Sequence, residues 1–124
     1  MAKKILIVDD EPDVVTYLSA VLNDNGFEAI GASNGAEALE RVRRDHPSLI
    51  TLDITMPEMS GVKAYRTLKD DAALKAIPVV IVTGMAHDFK RFISTREHVP
   101  PPDGYLEKPV NPEDLLAEVK RLLA

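Results

Sequence analysis

Short, nearly unbroken apolar runs recur along this chain, and each stops at a residue able to do chemistry. Ile5-Leu6-Ile7-Val8 runs into Asp9-Asp10-Glu11, Leu49-Ile50-Thr51-Leu52 ends at Asp53, and Val79-Val80-Ile81-Val82 ends at Thr83. A fourth segment, Tyr105-Leu106-Glu107-Lys108-Pro109, ends at a lysine. Val, Ile and Leu in runs without alternation mark strands buried on both faces, as in a parallel sheet covered by helices. If the strands are parallel neighbours, their tips meet at one edge. Three aspartates, a hydroxyl and an ammonium then share one pocket, which suits a hard metal cation and a phosphoryl group.

Helical patterns separate these runs. Pro12 suits the first turn of a helix, and Val14, Leu18, Val21 and Leu22 supply its apolar stripe. Asn25-Gly26 stops it, and Phe27 to Ala32 reads as a short second strand. Asn34, with Glu37 three residues on, has the spacing of a capping box for a helix from about Ala36 to Asp45, closed by Pro47. Ser60 is placed to cap a helix carrying Val62, Tyr65 and Leu68. Phe89, Phe92, Ile93 and Arg96 predict a helix from about His87 to Glu97, ended by Pro100-Pro101-Pro102. Gly104 to Leu106 is a short fifth strand. Asn111-Pro112-Glu113-Asp114 is a strong helix start, and Leu115, Leu116, Val119, Leu122 and Leu123 line the last helix. Five strand-then-helix repeats predict an α/β, (βα)5 fold: a doubly wound parallel sheet in a three-layer sandwich. Right-handed crossovers leave few other topologies. No linker or internal repeat breaks the chain, so residues 1–124 are expected to form one domain.

Composition removes several function classes. A net charge of −5 gives no basic surface for general nucleic-acid or anionic-membrane binding. The chain has no cysteine, which excludes disulfides, zinc-thiolate sites and thiol catalysis. The apolar runs are far shorter than a bilayer span, and the acids at 9–11 interrupt the first one too early for a signal peptide. The expected location is the cytoplasm.

Ligands of open parallel sheets bind beyond the carboxyl ends of the strands, where strand order reverses. Taken singly, each residue there has a plainer reading. Asp9, Asp10 or Glu11 caps a helix, Asp53 sits in a turn, Thr83 is a β-branched strand residue, and Lys108 is a surface charge. Five chemically matched residues at four strand tips are much harder to obtain by chance. Crowded carboxylates repel and tend to hold protons, and a divalent cation relieves this. Oxygen-only ligands with room for water and phosphate are a magnesium arrangement. With Lys108 as a second, fixed cation, Asp53 stays ionised and can act as a nucleophile toward a phosphoryl group.

These residues carry a resemblance. The stretches Ile5–Glu11, Leu52-Asp53-Ile54-Thr55-Met56-Pro57-Glu58-Met59-Ser60-Gly61, Val82-Thr83-Gly84 and Tyr105–Pro109 closely resemble the receiver domain of bacterial two-component response regulators. The resemblance covers nearly the whole chain. It implies a flavodoxin-like sheet of order 2-1-3-4-5, as in the chemotaxis members. It makes Asp53 the phosphoacceptor for a sensor histidine kinase or phosphotransfer protein. Mg2+ is then held by Asp10 and Asp53 side chains and the Thr55 carbonyl, with Asp9 acting through metal-bound water. Thr83 and Lys108 bind the phosphoryl oxygens, and Tyr105 is the aromatic switch that turns inward when Thr83 moves, unless its ring is plain core packing. The implied product is a cytoplasmic signalling switch acting on an output protein or domain. It catalyses only its own phosphoryl transfer and autodephosphorylation, without direct nucleic-acid or membrane contact. Homodimerisation through the fourth and fifth strand–helix region is a further expectation.

The chain departs from the family pattern between Thr83 and Lys108. That interval is longer than usual and contains the three prolines, which serve either as a stiffener or as a polyproline II docking segment. Met85 and Thr55 sit where the family varies side chains that gate water. Three other readings compete. A phosphatase with an aspartate nucleophile usually needs a second acid at the position of Thr55. A flavodoxin-like cofactor binder wants a glycine- and hydroxyl-rich phosphate loop where Asp9-Asp10-Glu11 stand. A degenerate receiver would act only as an interaction module.

Overall fold

A computed structural model of the chain describes residues 2–56, 60–84 and 102–124. The described elements are β1 (Lys4–Val8), α1 (Pro12–Asp24), β2 (Glu28–Ala32), α2 (Gly35–Asp45), β3 (Leu49–Asp53), α3 (Ser60–Asp70), β4 (Val79–Thr83), β5 (Gly104–Glu107) and α4 (Pro112–Leu123). Every strand pair is parallel, and the order across the sheet is β2-β1-β3-β4-β5. This is the expected doubly wound, flavodoxin-like α/β fold. The helix expected over His87–Glu97 lies outside the described residues, as do Met85, Pro100 and Pro101.

Alternation along the strands builds two cores. Leu6, Val8, Ile50, Leu52, Val79 and Ile81 point to one face and pack against α2 and α3 through Ala38, Val42, Val62, Tyr65 and Leu68. Ile5, Ile7, Leu49, Val80, Val82 and Leu106 point to the other, against Leu18 and Leu22 of α1 and Leu115 and Val119 of α4. Each fully buried large aliphatic side chain contributes about 1.5–3 kcal/mol relative to exposure, so the central strands hold the sheet together. The edge strand β2 is half-buried along most of its length.

Local chemistry sets most helix ends. The Asn34 side chain accepts the Glu37 N–H at 2.8 Å. The Glu37 carboxylate returns to the Ser33 N–H at 2.7 Å, one residue before the position a capping box would use. Asn111 accepts from the Glu113 and Asp114 N–H groups. Asn25 closes α1, followed by Gly26 at φ +88°. The stop of α2 differs from expectation: His46 adopts a left-handed conformation at φ 46° and donates its N–H to the Val42 carbonyl, ending the helix before Pro47. α3 begins at Ser60, whose side chain lies outside the described set.

A second polar feature joins the N-terminal ends of β4 and β5. Asp103 donates its N–H to the Val79 carbonyl and accepts the Val79 N–H on its side chain, both at 2.9 Å. The Arg121 guanidinium of α4 donates to the Asp103 carbonyl at 2.9 Å. Lys69 of α3, with its side chain only 5% exposed, lies 3.7 Å from the Asp103 carboxylate. It also donates to the Lys75 and Ile77 carbonyls, with its ammonium 5.7 Å from the centre of the Tyr65 ring. No helix among the described residues is long and apolar enough to cross a membrane.

Candidate functional site

Strand register brings the polar tips level with one another. Val8 pairs with Leu52, so Asp9 and Asp53 follow side by side. Asp53 pairs with Val82, and Thr83 with Glu107, so Thr83 and Lys108 lie one step further on. The backbone continues the match, since the Lys108 N–H donates to the Thr83 carbonyl at 2.9 Å. The Lys108–Pro109 peptide bond is cis.

The Lys108 ammonium lies 2.8 Å from Asp9 Oδ2 and 3.1 Å from Asp53 Oδ2, with Glu11 Oε1 at 3.6 Å. Asp9 and Asp53 are almost fully buried, and Asp10 is exposed. Asp9 Oδ1 accepts the Glu11 N–H at 2.9 Å. The helix-cap reading of the acids therefore gives way: Glu11 is the N-cap of α1 but makes no side-chain cap bond, and Asp9 turns into the site. Asp53 Oδ1 accepts twice from Thr55, from its N–H at 2.8 Å and its Oγ1–H at 2.6 Å. Thr83 is fully buried at the end of β4. Tyr105 pairs with Ile81, which puts its half-buried ring on the same sheet face as Thr83, packed against the α2–α3 core. A cavity of about 490 Å3 opens beside Lys108, walled by Val14, Tyr17 and Leu18 of α1 and by Pro109 and Val110.

The charges explain the shifts in acidity. Burial opposes the Lys108 charge, but the hydrogen bond to Asp9 and the charge and hydrogen bond of Asp53 outweigh it, and the ammonium pKa rises. Asp9 also moves up. Burial is the leading cause; hydrogen bonds from Lys108 and the Glu11 N–H oppose it, and the Asp53 charge adds to it. The two rises disagree, because one favours an ion pair and the other a neutral acid. The 2.8 Å contact and two charge-stabilising hydrogen bonds decide for the ionised pair near neutral pH, with Asp9 as its weaker member.

Asp9, Asp10 and Asp53 each offer a carboxylate oxygen, and these atoms all lie within 4.8 Å of one another. The set fits a hard divalent cation. It is oxygen-only, it carries excess negative charge, and Asp10 on its rim leaves room for water or phosphate.

Of the residues singled out in the sequence, Asp9, Asp10, Asp53, Thr55 and Lys108 lie together here; Thr83 ends the neighbouring strand β4 and Tyr105 lies on β5, while Met85 lies outside the described residues. Two features escaped that reading. One is the Thr55 hydroxyl, for which a threonine two residues after an aspartate was the available signal. The other is Gly61. A Cβ on it would overlap the Asp53 carbonyl oxygen and approach Ile54 Cα to 2.9 Å, so glycine lets α3 start against the end of β3.

A parallel sheet of this order with acids and a lysine at its carboxyl edge has the arrangement of a receiver domain. The family model for the response regulator receiver domain matches residues 5–120, and the chain belongs to that family. It is 36% identical over 121 residues to the protein PilH of Pseudomonas aeruginosa, covering 98% of each chain. It is 33% identical over 123 residues to the alkaline phosphatase synthesis transcriptional regulatory protein PhoP of Bacillus subtilis, covering 99% of this chain and 49% of that protein. The chain thus spans about half the length of that curated relative and nearly all of PilH. The chemotaxis response regulator CheY4 of Vibrio cholerae superposes with a TM-score of 0.84 at 28% identity, over 98% of this chain and 99% of that one. Receiver domains are signalling switches that bind Mg2+ through acidic residues and engage histidine kinases or phosphotransfer proteins and output domains.

Proposed function

We propose that residues 1–124 form one receiver domain whose Asp53 accepts a phosphoryl group from the phosphohistidine of a histidine kinase or phosphotransfer protein. The observation that carries this reading is Asp53 itself: a carboxylate 1% exposed, 3.1 Å from Lys108, with two further acids close enough to share a cation. Asp9, Asp10, Asp53 and the Thr55 carbonyl are the groups that would hold Mg2+. When bound, the ion supplies positive charge against the phosphoryl oxygens and relieves repulsion among the acids. Lys108 supplies the second positive charge, moving from carboxylate to phosphoryl oxygen, and the Thr83 hydroxyl binds another oxygen. Tyr105, on the same sheet face as Thr83, follows that movement inward. The surface beside β5 then changes for an output protein or domain. The chain dephosphorylates itself and turns over no other substrate, and it works in the cytoplasm. The expected dimer region, the fourth and fifth strand–helix units, includes residues 85–101, which lie outside the described set.

The test is incubation with acetyl phosphate and Mg2+, followed by intact mass. One phosphate-sized gain, absent in Asp53→Asn, is expected. Continuous consumption of acetyl phosphate over many turnovers would favour a phosphatase instead, and no gain at all would leave an interaction module.

A further inference from the structure

Two side chains lie along the outer edge of β2, and the phosphoacceptor chemistry uses neither. The Glu28 N–H donates to the Lys3 carbonyl at 2.9 Å, and the Ala32 carbonyl accepts the Asp9 N–H at 3.0 Å. These groups face β1, and peptide direction alternates along a strand, so Ala29, Gly31 and Ser33 turn theirs outward. β2 is the last strand of the sheet on that side. Its outward donors are nevertheless held at both ends. The Ala29 N–H donates to Asn23 Oδ1 at 3.0 Å, and the Ser33 N–H donates to Glu37 Oε1 at 2.7 Å. Asn23 reaches over from the last turn of α1, and Glu37 from the first turn of α2. The Gly31 N–H, midway between them, has no partner among the described residues.

The strand itself carries little of the usual edge protection. Glu28-Ala29-Ile30-Gly31-Ala32 contains neither lysine nor proline, and its one charge stands at its first residue. An open row of N–H and C=O groups is a template for another strand, and the spacing here suits a second copy of the same strand. In an antiparallel pair centred on Gly31, each Gly31 faces the other, and Ala29 of one chain faces Ser33 of its partner. Ile30 then falls opposite Ala32, and Glu28 opposite Asn34, so no like charges meet. Such a pairing is two-fold symmetric and closes on itself. We infer that the outer edge of β2 is a self-complementary pairing surface for a second copy of this chain, and that Asn23 and Glu37 hold it closed. Most of the inter-strand bonds in that pair would need a donor that these two side chains already occupy. The bond from Ser33 goes to a charged acceptor and is stronger than the neutral main-chain bond that would replace it. The displaced capping bond of α2 thus has a second effect, because Glu37 aims its carboxylate at the sheet edge rather than at the Asn34 N–H.

The experiment compares wild type, the double variant Asn23→Ala/Glu37→Ala, and that double variant with Ser33→Pro added, all without phosphodonor. Sedimentation velocity and amide exchange are read over a range of concentrations. Alanine uncovers both N–H groups and leaves the bonds between β2 and β1 in place. Proline at 33 removes an outward donor that β1 does not use. In the double variant, weight-average mass should rise with concentration toward about twice the wild-type value. Amide exchange at Gly31 should slow over the same range, and Ser33→Pro should return both readings to wild type. A double variant with native circular dichroism and wild-type mass at every concentration overturns the inference. So does a dimer that survives Ser33→Pro or leaves Gly31 exchange unchanged, because either places the contact on another surface. If the double variant loses its fold, Glu37→Ala alone, which keeps the Asn34 cap of α2, carries the same readings. A smaller rise in mass with slower Gly31 exchange then supports the closed edge, and values equal to wild type overturn it.

Discussion

The Lys108 N–H donates to the Thr83 carbonyl at 2.9 Å. One backbone bond thus ties the hydroxyl-bearing tip of β4 to the ammonium-bearing tip of β5. A phosphoryl group that draws one side chain inward must carry the other strand end with it. Amide exchange with and without beryllofluoride and Mg2+ should therefore change together at Thr83 and over Tyr105–Lys108. A change at Lys108 with none at Thr83 or Tyr105 would contradict this coupling.

Asp9 gives a pH signature. Its carboxyl pKa is raised in the fold, so above the ordinary value of 3.8 the folded chain holds a proton that the unfolded chain has released. Stability contributed by Asp9 is then lost as pH rises from about 3.8 through its raised folded value. Urea unfolding at a series of pH values, without Mg2+, should show this downward slope in wild type and a flatter profile in Asp9→Asn. Saturating Mg2+ should also flatten the wild-type profile, since the cation favours the ionised carboxylate.

Gly61→Ala sets two effects against each other. In an exposed helix the change would stabilise by about 1 kcal/mol. Here the new methyl meets the Asp53 carbonyl and Ile54 Cα, backbone atoms that cannot swing aside. Overpacking of this kind costs about 1–3 kcal/mol, so the expected net result is destabilisation. Phosphate uptake should fall as well, although no reacting group has been altered. Chemical denaturation and intact mass read the two outcomes. A variant as stable as wild type would show that β3 and α3 can part at little cost.

Lys69→Met tests the opposite end of the sheet. The variant keeps the apolar stem but removes donors to the Lys75 and Ile77 carbonyls and the charge beside Asp103. A loss of about 1–3 kcal/mol is expected, with faster amide exchange at Ile77 and Val79. The rate of phosphate uptake should stay unchanged. A slower uptake would mean that the two sheet ends are mechanically linked.

The sheet and the edge where the site forms could be read directly from the chain. An apolar run that ends in Asp9 or Asp53 states both the strand and its tip, and parallel pairing does the rest. Strand bounds differed by a residue at Lys4, Phe27 and Glu107: Lys4 and Glu107 extend strands without adding hydrophobic signal, and Phe27 packs against the core from just outside β2. Contacts depending on a particular rotamer or backbone turn were not legible. The left-handed His46 is one example, since Pro47 gave an equally good reason for the helix to stop. The Thr55 hydroxyl is another, because its bond to Asp53 exists only once the chain turns after β3. Lys69 and Asp103 lie on separate elements, and neither has a local pattern that predicts the other.

Asp103 has a consequence for how this chain can vary. It grips Val79 through both an N–H and a carboxylate, so β5 begins level with β4 however many residues intervene. Lys108, five residues past that grip, arrives opposite Asp9 and Asp53. Insertions ahead of residue 103 can alter whichever surface they form while leaving the spacing of the chemistry intact.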